Sequence, residues 1–501
     1  MQAPPTQGRR ARRIGVHAHH DSYKWWALSC TSLGMLLATI NSGTLIIALP
    51  DLERTLHTSL LELVWVILVY MIASTVLVLS AGRLSDQFGR KQAYIAGFLV
   101  FAVASLGAGF AANGTQLILW RILQGIGGAF LFANAAAIVT DSFPREQLGL
   151  AMGTNTMVAA VGLVIGPVLG GALVAIGWHW VFWFNVPFAL VGCLWAALIL
   201  HEITGRSQDT QFDALGTITF LIGLTGLVLG ISKGGISGWN SPVVIGGLVA
   251  AAVFLPAFVV IERHHRAPML DLSIFRNRLF SAASAAAFIN GLARFALMFV
   301  FVFYFQGVQG DSPILAGIKL APLAIGMLIS SPLAGIWADR RGSRGMAVAG
   351  MLVTALGLAL MTTLQRDTTY AASGAFMFIV GLGSGMFNSP NTAAMMGVVA
   401  PHRRGIAAGA RVLVQNTGAV ISIAFVLAVV TSSVPKTVLF EVFSGLANHI
   451  SNEQLTPFIA NMHTALWTLC AISVLGAFVA AARPKHVVPE PAIAQPELAQ
   501  S

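Results

Sequence analysis

Apolar residues gather into runs of about twenty along almost the whole chain, parted by short polar segments. About twenty apolar residues make a helix long enough to cross a hydrocarbon core, and backbone at that depth must satisfy its hydrogen bonds internally. The pattern predicts fourteen spans, near 26–48, 62–81, 92–112, 117–139, 150–176, 180–200, 214–232, 242–261, 280–305, 313–337, 345–364, 371–397, 406–431 and 464–482. The expectation is therefore an all-α polytopic membrane protein whose first partner is the lipid bilayer.

Charge orients the weave. If the N-terminus is cytoplasmic, 21 of the 29 Lys and Arg fall on that side, beginning with Arg9, Arg10, Arg12, Arg13 and Lys24. The other side holds only Arg54, Lys233, Arg366 and Lys436, and Arg121, Arg294, Lys319 and Arg411 lie within spans. Short cytoplasmic loops collect Lys and Arg, so both termini are expected in the cytoplasm, the 432–463 loop outside, and the chain in the plasma (inner) membrane. The net charge of +10 and the pI near 10.1 then follow from topology and require no nucleic-acid partner. With 56% hydrophobic and 10% charged residues there is no room for a soluble domain. The basic tail 1–24 and the Pro/Ala/Gln-rich tail 484–501 read as disordered. The first span is too long for a cleaved apolar core and reads as a retained anchor. Cys30, Cys193 and Cys470 sit in spans without disulfide or metal spacing.

The first half recurs about 255 residues later. Gly82, Asp86 and Gly89 return as Gly335, Asp339 and Gly342; Gly125 and Gly127 as Gly381 and Gly383; Gly153 and Gly162 as Gly409 and Gly418. A fixed offset of this kind marks an internal repeat. Each copy supplies six helices, so the domains are a six-helix half over 25–200, a linker with two inserted helices over 201–262, and a second half over 263–483. Two parallel repeats suit a transporter whose site lies between the halves and opens alternately to each side.

At these residues the chain resembles a known family. The loop Gly82-Arg83-Leu84-Ser85-Asp86-Gln87-Phe88-Gly89-Arg90-Lys91 looks like the signature between spans 2 and 3 of the major facilitator superfamily. Span 4, with Arg121, Gln124, Gly125, Gly127 and Gly128, is similar to that superfamily's fourth-span motif. In span 5 Gly162, Gly166, Pro167, Gly170 and Gly171 resemble the antiporter motif. With two extra central spans, and with Trp178-His179-Trp180-Val181-Phe182 followed by Asn185 and Pro187, the chain looks like the fourteen-span drug:proton antiporter branch. The resemblance implies a secondary active exporter of amphipathic small molecules, driven by proton exchange. An exporter of anionic metabolites or lipids is the alternative and a nutrient importer the third reading. A monomer without cofactor is expected.

The residues assign roles in turn. Asp86 sits at a sharp loop between Gly82 and Gly89, where a carboxylate can face the positive end of a helix. By resemblance that partner is the start of span 13 near Gly405, so Gly82, Asp86, Gly89 and Arg90 form a conformational latch with Asp339 as its weaker second copy. Gly166-Pro167 interrupts the helical ladder; the second copy has no Gly-Pro there, and by resemblance the pair seals the site against proton leak. No Asp or Glu falls in the middle third of a span, and Asn41 stands where the branch carries a span-1 Asp ahead of Ala48-Leu49-Pro50. Proton coupling is therefore assigned to Glu62 and Asp51 at outer span ends, working with Arg121. Arg294 lies halfway along span 9, where a charge costs at least roughly 2.5–3.5 kcal/mol and generally serves function. Arg294, Asn41 and Arg121 are the expected cavity residues. No Gly-Lys dipeptide exists for a phosphate-binding loop, and none of the 12 His is deep in a span, which disfavours an ATP-driven pump and an enzyme.

Overall fold

The computed structural model describes residues 22–144, 147–202, 213–265, 268–399, 404–432, 434–443 and 451–484. Nearly all of both expected tails lies outside those residues, as does the side chain of Asp339.

The first half is α1 Tyr23–Leu56, α2 Leu60–Phe88, α3 Arg90–Ala108, α4 Gly114–Ser142, α5 Leu148–Ile176, α6 His179–Trp183 and α7 Asn185–Ile199. The inserted pair is α8 Ala214–Ser237 and α9 Pro242–His264. After a 3₁₀ turn, Leu272–Arg276, come α10 Arg278–Arg294, α11 Ala296–Phe303 and a π turn, Tyr304–Val308. The chain ends with α12 Pro313–Lys319, α13 Ala321–Arg341, α14 Ser343–Met361, α15 Tyr370–Gly397, α16 Arg404–Thr431, α17 Lys436–Phe443 and α18 Asn452–Ala481. Among the described residues thirteen helices are long and apolar enough to cross a membrane. The fifth expected position is filled by α5, a 29-residue helix whose stretch Ile165–Ile176 is apolar.

Local chemistry sets the starts. Ser59 and Glu62 form a reciprocal capping box on α2, and Ser451 with Gln454 does the same for α18. Asn113, Asp213 and Asn277 cap α4, α8 and α10. The second box explains a difference from the sequence pattern: the last helix begins at Asn452, not near 464, because its polar first turns dilute the apolar run that marks the span. Part of the expected 432–463 loop is likewise helical, as α17.

The repeat is visible in the packing. In the first half α1 packs on α5, α2 on α4, and α3 on α4 and α7; in the second α10 packs on α16, α13 on α15, and α14 on α15 and α18. The loop glycines match as well. Gly89 at φ +107° and Gly342 at φ +86° cap α3 and α14, in backbone that residues with a Cβ rarely adopt. The halves meet where α5 packs on α12 and α13, and where α2 packs on α16. Beside the second joint stands α8, in contact with both α2 and α16, while α9 packs on its outer side. One end of the bundle gathers Tyr23, Arg90, Asp141, His201 and Glu202, and is called the tail end below.

Candidate functional site

The interior of the first half holds a chain of polar side chains from five helices. Gln124 of α4 donates through Nε2 to Ser105 Oγ of α3 at 2.7 Å and to Asn41 Oδ1 of α1 at 3.1 Å. Its Oε1 accepts from Arg121 Nη1. Arg121 also donates from Nε to the Val66 carbonyl of α2 at 2.9 Å and lies over the Tyr70 ring, 4.3 Å from its centroid. Asn185 of α7 reaches Asn41 Oδ1 at 3.4 Å and the Val181 carbonyl at 2.9 Å, bridging the break at Phe184 where Pro187 withdraws a ladder N–H. Asn41, Gln124, Asn185 and Arg121 are at most 1% exposed. A buried cation held by a carbonyl, an amide and an aromatic face is stabilised without a carboxylate, the ring alone contributing about 2 kcal/mol when desolvated. The Asn41 amide also meets the Tyr70 hydroxyl as a side-chain hydrogen-bond partner.

Arg121 and Glu62, expected to work together, are not brought into an ion pair. Glu62 accepts from Ser59 N at 3.0 Å, from the Ser59 hydroxyl and from Thr115 Oγ1, so it caps the far end of α2. Asp51 stays on α1, its backbone carbonyl accepting from Thr55, and Arg121 bonds only neutral groups. The latch residues also find nearer partners. Asp86 accepts from Arg90 Nε at 2.9 Å, and Arg90 Nη1 pairs with Asp141 of α4. The exposed α3 amides of Arg90 and Lys91 donate to Glu202, at 2.8 and 3.2 Å. The expected contact near Gly405 lies outside the described side chains. Sequence reading missed Glu202, although a lone acid just past an apolar span at a charged end was visible.

The span-5 motif divides into two faces. Gly162, Gly166 and Gly170, four residues apart, face α1: a Cβ on Gly166 would lie 3.0 Å from Gly43 Cα, and one on Gly170 2.7 Å from Thr44 Cα. Gly171 turns to the other half, where a Cβ would meet Ile314 Cα at 2.5 Å, and Pro167 presents its carbonyl to Gly317 of α12. Closeness of backbones, within one half and between the two, is what these residues supply.

In the second half the corresponding polar chain is absent: Met377 and Val380 stand where Arg121 and Gln124 stand in the first. Arg294 instead ends α10 at a break. Its guanidinium lies 4.5 Å from the Phe295 ring centroid and its Nη1 4.0 Å from Met327 Sδ, while Nε is buried without a partner. The break has a definite cause. Ser422 of α16 donates to the Leu292 carbonyl at 2.6 Å and accepts from Ala296 N at 3.3 Å, replacing the helical bond those two groups would otherwise form. Arg411, Gln415 and Asn388 continue a polar line along α16 and α15, at 3.0 and 3.2 Å. Lys319 pairs with Asp311.

Two repeated helical halves, joined along α5/α12–α13 and α2/α16 and carrying buried polar groups at helix breaks, define a polytopic membrane transporter. The chain belongs to the Major Facilitator Superfamily, which matches residues 31–423. It is 31% identical to the tetracenomycin C resistance and export protein of Streptomyces glaucescens, over 72% of this chain and 67% of that one. It is likewise 31% identical to the multidrug transporter protein MdtP of Bacillus subtilis, over 86% and 78%. Its fold resembles a bacterial homolog of the human lysosomal transporter Spinster, solved inward-facing and unoccupied, with a TM-score of 0.65 and 16% identity over 92% and 97%.

Proposed function

We propose that the chain exports amphipathic small molecules from the cell by secondary active transport, through alternating access and in exchange for protons. The relatives' names support export of drug-like compounds. The charge bias supports a cytoplasmic tail end and a plasma-membrane location. The observation that carries the reading is Arg294: a half-buried cation at a broken helix, beside Met327 and Phe295, with no carboxylate within ion-pair distance among the described residues. Such a wall accepts apolar bodies and favours neutral or anionic groups over cationic ones. Asn41 and Arg121, expected to line the cavity, are closed inside the first half at no more than 1% exposure, and act on the Arg294 region through the helices they join.

The test is accumulation of an anionic and a cationic dye in efflux-deficient cells expressing the protein, with and without a protonophore. Export is expected to keep the anionic dye out, the protonophore to abolish that, and Arg294→Ala to cost the anionic dye its advantage, with Arg294→Lys restoring part because Lys lacks the bidentate fork. Preferred export of the cationic dye, unchanged in Arg294→Ala, would remove Arg294 from the site. Retention of both dyes by expressing cells would end the export reading.

A further inference from the structure

The inserted helix pair carries two acids that neither the repeat nor the cavity accounts for. Asp213 caps α8, its Oδ1 accepting from Gly216 N at 2.7 Å. Glu262 stands near the end of α9, its Oε2 accepting from Leu270 N at 2.7 Å. Both residues are only 2% exposed. The remaining oxygens, Asp213 Oδ2 and Glu262 Oε1, find no other donor, and the two carboxyl side chains are hydrogen-bond partners of each other. Each lies 2.6 Å from the point a Cβ on Gly216 would occupy, so the two share the notch that this glycine leaves open.

Two ionised carboxylates are acceptors only and repel each other in such a place. One proton resolves this, because a carboxyl O–H on either residue donates to the orphaned oxygen of the other. From α2, Arg83 of the repeated loop motif donates to the Pro268 carbonyl, and its charge acts on Glu262, Asp213 and Asp86. His265 Nδ1 is 3.8 Å from Asp213 Oδ2. Ser80 and Thr217 join α2 to α8 alongside, their hydroxyls 2.9 Å apart. Glu262 also lines a cavity of about 670 Å³ at the tail end, shared with His265, Asp271 and the exposed Arg263 and Arg276, which gives the notch a route to solvent.

We propose that Asp213 and Glu262 bind one exchangeable proton between them, and that its occupancy sets the hold of the inserted pair on the loop motif through Arg83. On release the proton passes to water through the cavity, two carboxylates remain, and the guanidinium is drawn from the Pro268 carbonyl toward them. Arg83 stands three residues before Asp86 on the same helix, so the proton acts on the α2–α3 turn. Only this link to transport rests on the proton-exchange reading above; the proton site itself does not.

The test is infrared difference spectroscopy of the full chain in lipid vesicles across a pH series, with Glu262→Gln and Asp213→Asn. The wild type is expected to show the C=O stretch of a protonated carboxyl that disappears on alkalinisation, and each variant to lack it. Glu262→Gln keeps shape and supplies its own donor, and Asn retains the cap at position 213, so melting temperatures near wild type are the control and either folded variant suffices. Absence of a titrating band, or a band that persists in both variants, overturns the proton site. In the same vesicles Glu262→Gln is expected to retain substrate counterflow while its rate loses its dependence on tail-side pH. An unaltered pH profile beside a lost band overturns the link through Arg83, and proton-driven export without any band overturns the site while leaving the export reading in place.

Discussion

Arg121 and Arg294 are both cations embedded in apolar helices, yet the protein treats them differently. Arg121 is enclosed by Val66, Gln124 and Tyr70, whereas Arg294 keeps a buried Nε without a partner. The sequence marked both as costly, because the price of an embedded charge depends on residue type and depth alone. It left Tyr70 and Ser105 unread, since each acquires meaning only from the helix it meets, and offered Asn185 only as part of a resemblance. Asp86 shows the opposite case, a motif residue whose partner in the structure is its neighbour Arg90. The Asp86 side chain is 39% exposed, and such an ion pair contributes roughly 0–1 kcal/mol to the fold. Asp86→Asn is therefore expected to leave abundance and melting temperature near wild type. If the carboxylate biases the two facing states by about 1.4 kcal/mol, its loss changes their ratio about tenfold and transport falls with it. Normal expression with wild-type efflux would reduce Asp86 to a loop cap.

At the scale of elements, the spans were legible and their interruptions were not. Hydropathy reports how much apolar chain is present, so α2, α3, α8 and α9 fall where the pattern puts them. It gives no sign of the break between α10 and α11, where neither Pro nor Gly occupies Phe295. The break is made by Ser422, 130 residues from Leu292 in sequence. Removing that hydroxyl leaves a buried N–H and C=O that must either close their own bond or stay unpaired, at about 1–3 kcal/mol for an unsatisfied group. Ser422→Ala is thus expected to let the Ala296–Leu292 bond close, slowing amide exchange at Ala296 and slowing efflux, and Ser422→Thr, which keeps the hydroxyl, to restore both. Faster exchange at Ala296 in the alanine variant would show that the break is intrinsic to α10 and α11.

For the whole molecule, the repeat was readable because glycine spacing survives in sequence, and the same spacing reappears as equivalent packing in both halves. The joints between halves were not readable, since they arise from which face of a helix each glycine occupies. Gly171 decides the matter at the end away from the tail. Its missing Cβ would lie 2.5 Å from Ile314 Cα and 2.6 Å from the Pro313 carbonyl, both backbone atoms that cannot move aside cheaply. Gly82, by contrast, has only Ala133 Cβ at 3.9 Å. Gly171→Val is therefore expected to wedge α5 from α12 and shift the population toward a state open at that end. Spin-label distances between the outer ends of α5 and α12 should lengthen and efflux should collapse, while Gly82→Ala changes neither. Should Gly171→Val keep wild-type distances and export, the α5/α12 contact is a passive seam.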